Sequence, residues 1–215
     1  MRKICFLVSF LLLSIILTGC WLGLSKEKRT KTQPEVNNMS QETGKKILMV
    51  VAPRDFRDEE YFQPRDVFDE AGFEVVVASV QSVQARSAAG KTITIDKTVS
   101  EVNPADYDAV VFVGGPGMAQ IVDDESLSVL AQKFYQEDKI VAAICVAPAI
   151  LAQAGLFDGK QATSWSGVRD KLEQAGAKWQ DKPVVVDGKI ITGSGPQAAM
   201  EFGQTVRDEI LAEQK

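Results

Sequence analysis

The sequence predicts an α/β domain whose mostly parallel sheet is covered by helices on both faces. Short apolar runs recur at residues 47–51, 73–78, 109–113 and 140–144, the composition expected of strands with little or no solvent face. Segments with helical spacing separate them, and strand–helix alternation over one domain's length indicates a parallel sheet.

The elements follow in order. Ile47-Leu48-Met49-Val50-Val51 is the first buried strand. Residues 58–71 place Tyr61, Phe62, Val67, Phe68 and Ala71 at helical spacings, and Gly72 ends the helix. Its opening acids, Asp58-Glu59-Glu60, suit the positive end of a helix dipole. A strand at 73–78 comes next, and Thr92-Ile93-Thr94-Ile95 alternates as a half-exposed strand does. The strand at 109–113 runs into Gly114-Gly115-Pro116-Gly117. A helix at 126–137 would turn Leu127, Val129, Leu130 and Phe134 inward. After the strand at 140–144 comes a helix at 147–154, ended near Gly155. Residues 184–192 form a hairpin turning at Asp187-Gly188, and a helix at 198–213 closes the chain.

The N-terminus stands apart from this pattern. Arg2 and Lys3 precede an apolar stretch that ends in Leu17-Thr18-Gly19-Cys20. The stretch is short for a spanning helix, which needs about 20 residues. The charges, small residues and cysteine together resemble a bacterial lipobox. The expected organisation is a leader at 1–19, a lipidated N-terminus and flexible linker at 20–45, and one globular domain at 46–215. An acylated Cys20 would tether the domain to a membrane outside the cytoplasm, in the cell envelope, since two or more acyl chains anchor stably. Loss of the leader leaves 22 basic against 29 acidic residues, a balance that argues against nucleic acid as a partner.

Three features can carry chemistry. Cys145 ends a buried strand and precedes a helix, a turn that can expose a nucleophile and favour its thiolate through the helix N-terminus and the Val146 N–H. The alternative is a small buried core residue. Gly114-Gly115-Pro116-Gly117 lets backbone approach a ligand closely, with N–H groups able to face an oxyanion. A carboxyl of the 58–60 run that faced Cys145 would be partly desolvated, with a raised pKa. With Cys5 and Cys20 in the leader and the lipid anchor, Cys145 has no partner for an intramolecular disulfide. There is no Cys/His cluster for a metal and no dinucleotide or P-loop spacing, so neither metal nor cofactor is expected.

In order, the strand at 47–51, Glu59-Glu60 before Pro64, Val113-Gly114-Gly115, Ala142-Ala143-Ile144-Cys145 and Gly193-Ser194-Gly195-Pro196 resemble the DJ-1/PfpI superfamily. The resemblance runs from about Lys46 to the C-terminus. It implies a flavodoxin-like sandwich, commonly a homodimer. Cys145 matches the elbow cysteine, and Glu60 the glutamate that hydrogen-bonds its sulfur. Gly115 and Val146 match the backbone N–H pair of the oxyanion pocket. There are departures: Val146 stands where many peptidase-like members carry histidine, and Ala162-Thr163-Ser164 leads to Trp165 where others place one. The chain contains no histidine, so a Cys-His-acid protease triad cannot be assembled from it. Trp165, if it lined the pocket, would make it bulkier and more apolar.

The expected function is a cysteine-dependent enzyme for small electrophiles, namely reactive carbonyls, of glyoxalase, deglycase or hydratase type. Two other readings stay open: a redox sensor working through Cys145 oxidation, and a binding domain without catalysis. Turnover separates the first from both.

Overall fold

The computed structural model describes residues 43–81 and 83–213. The leader, Cys20 and the linker as far as residue 42 lie outside the described residues. Contacts with the domain begin ahead of Lys46: the Thr43 N–H donates to the Gly72 carbonyl, and Lys45 Nζ pairs with Asp108 at 2.9 Å.

The chain forms β1 (Lys46–Val50), β2 (Arg54–Phe56), α1 (Asp58–Glu70) and β3 (Glu74–Ser79). Short strands β4 (Gln84–Ser87), β5 (Thr92–Thr94) and β6 (Lys97–Thr98) precede β7 (Ala109–Phe112). Then come α2 (Pro116–Ile121), α3 (Glu125–Gln136), β8 (Ile140–Ile144) and α4 (Pro148–Gln153). The last part holds β9 (Gln161–Ala162), α5 (Arg169–Gln174), β10 (Lys178–Trp179), β11 (Val184–Asp187), β12 (Ile190–Gly193) and α6 (Ala199–Ala212). The main sheet has seven strands in the order β11-β12-β8-β7-β1-β3-β6, parallel except for the β11–β12 hairpin.

The expected sandwich is therefore present, and strand periodicity accounts for its two cores. Along β1, Leu48 and Val50 enter one apolar cluster, while Ile47 and Met49 enter the other. The first cluster packs under α2, α3, α4 and α5 through Met118, Leu127, Phe134, Ile150 and Leu172. The second packs under α1 and α6 through Phe68, Phe202, Val206 and Ile210. The two helices on that face touch closely: a Cβ on Gly203 would lie 2.7 Å from Pro64 Cα.

Two expectations need correction. Val129 is 38% exposed, and the inward face of α3 is Leu127, Leu130, Ala131 and Phe134. That set is the i, i+3, i+4, i+7 stripe, whereas Val129 lies on the far side of the helix. In the hairpin, Asp187 pairs with Ile190, so the two turn residues are Gly188 and Lys189. Gly188 has φ +63°, as the first position of a two-residue hairpin turn requires. Of the three-stranded sheet β2-β4-β5 only β5 was expected, as the alternating segment 92–95; β2 and β4 are too short to show a period.

Candidate active site

Strand β8 is apolar and buried along its whole length, between β7 and β12, and it ends at the centre of the sheet. Cys145 follows at φ +65°, a left-handed conformation that costs a non-glycine residue roughly 1–2 kcal/mol. Two hydrogen bonds hold it there. The Cys145 N–H donates to the Gly193 carbonyl at 2.9 Å, and the Trp165 N–H donates to the Cys145 carbonyl at 2.8 Å. The elbow is thus fixed from both neighbouring segments, and the thiol is half-buried.

Glu60 comes to the thiol from α1. It lies on the inward stripe Glu60, Pro64, Val67, Phe68, so the helix that packs on the sheet carries a carboxyl into the core. Its side chain is fully buried. The first turn of α1 is tied down by Asp58, which accepts hydrogen bonds from Ser87 Oγ at 2.7 Å and the Ala89 N–H at 2.9 Å. Glu60 Oε2 accepts the Gly114 N–H at 3.1 Å, while Oε1 is buried without a partner.

The glycine pair fits the backbone between these groups. A Cβ on Gly114 would lie 2.6 Å from Glu60 Oε2 and 2.8 Å from Cys145 Cβ. Gly115 has φ +115°, and a Cβ there would lie 2.5 Å from the Arg57 backbone N. Closing the turn, the Arg57 N–H donates to the Gly114 carbonyl at 3.1 Å. The N–H groups of Val146 and Gly115 lie on the sulfur's side of the turn and lower the thiol pKa.

Burial pushes Glu60 up to about 7, opposed by its contacts with the Cys145 thiol, the Arg57 charge and the Gly114 N–H. Burial also pushes the Cys145 thiol up to about 12, reinforced by the charge and hydrogen bond of Glu60 and opposed by the two N–H groups. This corrects the expectation of a turn-stabilised thiolate. The N–H donors are in place, but α4 is a six-residue helix with little dipole, and desolvation beside a carboxylate outweighs them. Burial and the proximity of the two groups thus push both towards their protonated forms.

The structure therefore brings Cys145, Glu60, Gly115 and Val146 together. Trp165 contributes its backbone; its ring is 51% exposed and lies against Gly167. Sequence reasoning missed Arg57, whose charge acts on Glu60. The available signal was its position one helical turn before Glu60. Ser87 carried no signal, because it meets Asp58 through strand pairing. Among the described residues no cluster of His, Cys, Asp and Glu could hold a metal ion.

The fold is matched by known proteins. Residues 45–209 match the sequence pattern of the DJ-1/PfpI family. The chain belongs to that family. It is similar to an uncharacterized protein of Methanocaldococcus jannaschii, with 43% identity over 75% of this chain and 80% of that one. It is similar to the deglycase PfpI of Pyrococcus furiosus, with 37% identity over 70% of this chain and 90% of the relative. Among solved structures, a ThiJ/PfpI domain protein from Brachyspira murdochii superimposes with a TM-score of 0.76. That likeness carries 34% identity over 78% of this chain and 96% of the other. Every site residue of this DJ-1/PfpI protein lies inside the matched span.

Proposed function

We propose that this DJ-1/PfpI protein is a deglycase- or glyoxalase-like enzyme acting on small reactive carbonyls, with Cys145 as nucleophile and Glu60 as proton carrier. The observation that carries this reading is the fully buried Glu60 carboxyl set against the half-buried Cys145 thiol at a strained elbow, with the Gly115 and Val146 N–H groups lowering the thiol pKa. A thiol that holds its proton needs a base at the moment of attack, and a carboxyl titrating near 7 supplies one. On a 2-oxoaldehyde, Sγ bonds to the aldehyde carbon, the C=O π bond breaks, and the thiol proton passes to Glu60. The developing alkoxide is received by the Gly115 and Val146 N–H groups and takes the proton back as a hemithioacetal hydroxyl. Glu60 then carries the C1 proton to C2 while the C1 hydroxyl proton passes to the C2 oxygen, giving a thioester that water cleaves to a hydroxy acid and the free thiol. The deglycase name of the Pyrococcus furiosus relative points to the same chemistry on glycated groups. Absence of histidine from the chain weighs against peptidase activity.

The proposal includes an acyl anchor on Cys20, placing the enzyme outside the cytoplasm, and the homodimer that the family resemblance implies. Labelled palmitate should be incorporated by the natural chain and not by Cys20→Ser.

The catalytic test uses the full chain with Cys5→Ser and Cys20→Ser, which leaves Cys145 as its one thiol. Methylglyoxal consumption should run for many equivalents per protein and fall at least about a thousandfold in Cys145→Ser, as removal of a nucleophile does. Oxidation by a single equivalent of peroxide, with no carbonyl turnover, would instead establish the sensor reading.

A further inference from the structure

A cleft of about 1150 Å³ opens beside the β2-β4-β5 sheet and the start of α2. Its walls include Arg54, Asp55, Arg86, Gly117 and Gln120; Cys145 and Glu60 are not among them. The volume is that of a small-molecule site.

Its charge arrangement is unusual. Arg54 and Arg86 are register partners in the parallel β2–β4 pair. Both side chains are exposed and line the same cleft. Like charges set opposite each other on neighbouring strands destabilise a sheet. Here nothing within the chain relieves them: among the described residues neither guanidinium takes part in an ion pair or hydrogen bond. Arg86 Nη2 lies 3.3 Å from where a Cβ on Gly90 would sit, so the guanidinium rests across the turn of the β4–β5 hairpin. Asp55, at φ +54°, brings the one carboxylate of the cleft and is not ion-paired to either arginine.

We propose that this cleft binds a small anionic molecule through a phosphate or carboxylate group clamped between Arg54 and Arg86. Two guanidiniums present planar donor forks that match either oxyanion, and a bound anion offsets their mutual repulsion. The net acidity of the chain directs this site towards a compact anion rather than a polyanion. Asp55 faces the same space and opposes binding, which sets the affinity below what two arginines would give alone.

The test titrates the full chain, carrying Cys5→Ser and Cys20→Ser, with inorganic phosphate at constant ionic strength balanced by chloride. Calorimetry and the thermal midpoint are followed together, with succinate in a parallel series to tell a carboxylate from a phosphate site. At least one anion should saturate with a dissociation constant of about 1 mM or tighter. Arg54→Gln and Arg86→Gln should each weaken it on the order of tenfold. Asp55→Asn should tighten it severalfold, a gain that misfolding cannot mimic, and asparagine accepts the left-handed backbone there. No saturable binding of either anion, or unchanged binding in the Arg54→Gln/Arg86→Gln double variant, would overturn the proposal. The readout is binding without turnover, so failure here and failure of the carbonyl chemistry are distinguishable.

Discussion

Replacing Glu60 by glutamine should slow carbonyl turnover by roughly 10²–10⁴-fold, the range a positioned general base or acid contributes. The same change should make the fold more stable in alkaline solution. Glu60 has a folded pKa of about 7 against an ordinary value of 4.5. A carboxyl raised in the folded state contributes stability that is fully present below about pH 4.5 and is lost as pH rises through 7. At pH 8.5 the natural protein carries a buried carboxylate at a cost of roughly 3 kcal/mol relative to pH 4, each pKa unit being worth about 1.4 kcal/mol. Glutamine has no such dependence. Urea unfolding at pH 4.5 and 8.5 should therefore show a gain from Glu60→Gln that grows by roughly 3 kcal/mol between the two. Constant effects, such as how the new amide is accommodated, cancel in that difference. Loss of the carboxylate charge should also lower the thiol pKa, so that Cys145 alkylates faster near pH 8 even as turnover falls. An alkylation profile unmoved by the substitution would separate Glu60 from the thiol and sink the proton-carrier role.

Gly117→Ala should be among the most damaging small substitutions in the chain. A Cβ there would lie 1.7 Å from the Arg54 carbonyl oxygen and 2.8 Å from its carbon, both backbone atoms. No side-chain rotation relieves that overlap; α2 must move off β2. A loss of about 4 kcal/mol or more is expected, beyond ordinary overpacking. The displacement would also disturb Gly114 and Gly115 at the preceding turn, and with them the N–H groups on the sulfur. Gly159→Ala is the comparison. Its φ is +72° with nothing within 4 Å of the new methyl, so only left-handed strain is added, about 1–2 kcal/mol. Denaturant midpoints of the two variants should differ clearly. Equal losses would mean that the α2–β2 contact yields easily.

The site was partly legible before folding because its main groups sit at ends of strongly patterned elements. Strand β8 is apolar throughout, so the cysteine closing it had to lie at a turn at the sheet's carboxyl edge. Glu60 was named through the family resemblance, because the acidic run 58–60 by itself leaves open which carboxyl faces the thiol. Arg57 and the Asp58–Ser87 clamp were less visible, since they act through contacts with the glycine turn and with β4. The misplaced Val129 shows the limit of composition: an apolar residue was assigned inward although its helical phase points out.

By itself, the sequence determined the layered α/β architecture and the elbow at Cys145, because those follow from periodicity and local turn chemistry; Glu60 was singled out as the carboxyl neighbour by the family resemblance. The tertiary structure alone decided that burial raises the thiol pKa, that Arg57 bears on Glu60, and that Arg54 stands beside Arg86. Each of these depends on desolvation or on the register between distant strands, and neither quantity is defined until the sheet has assembled.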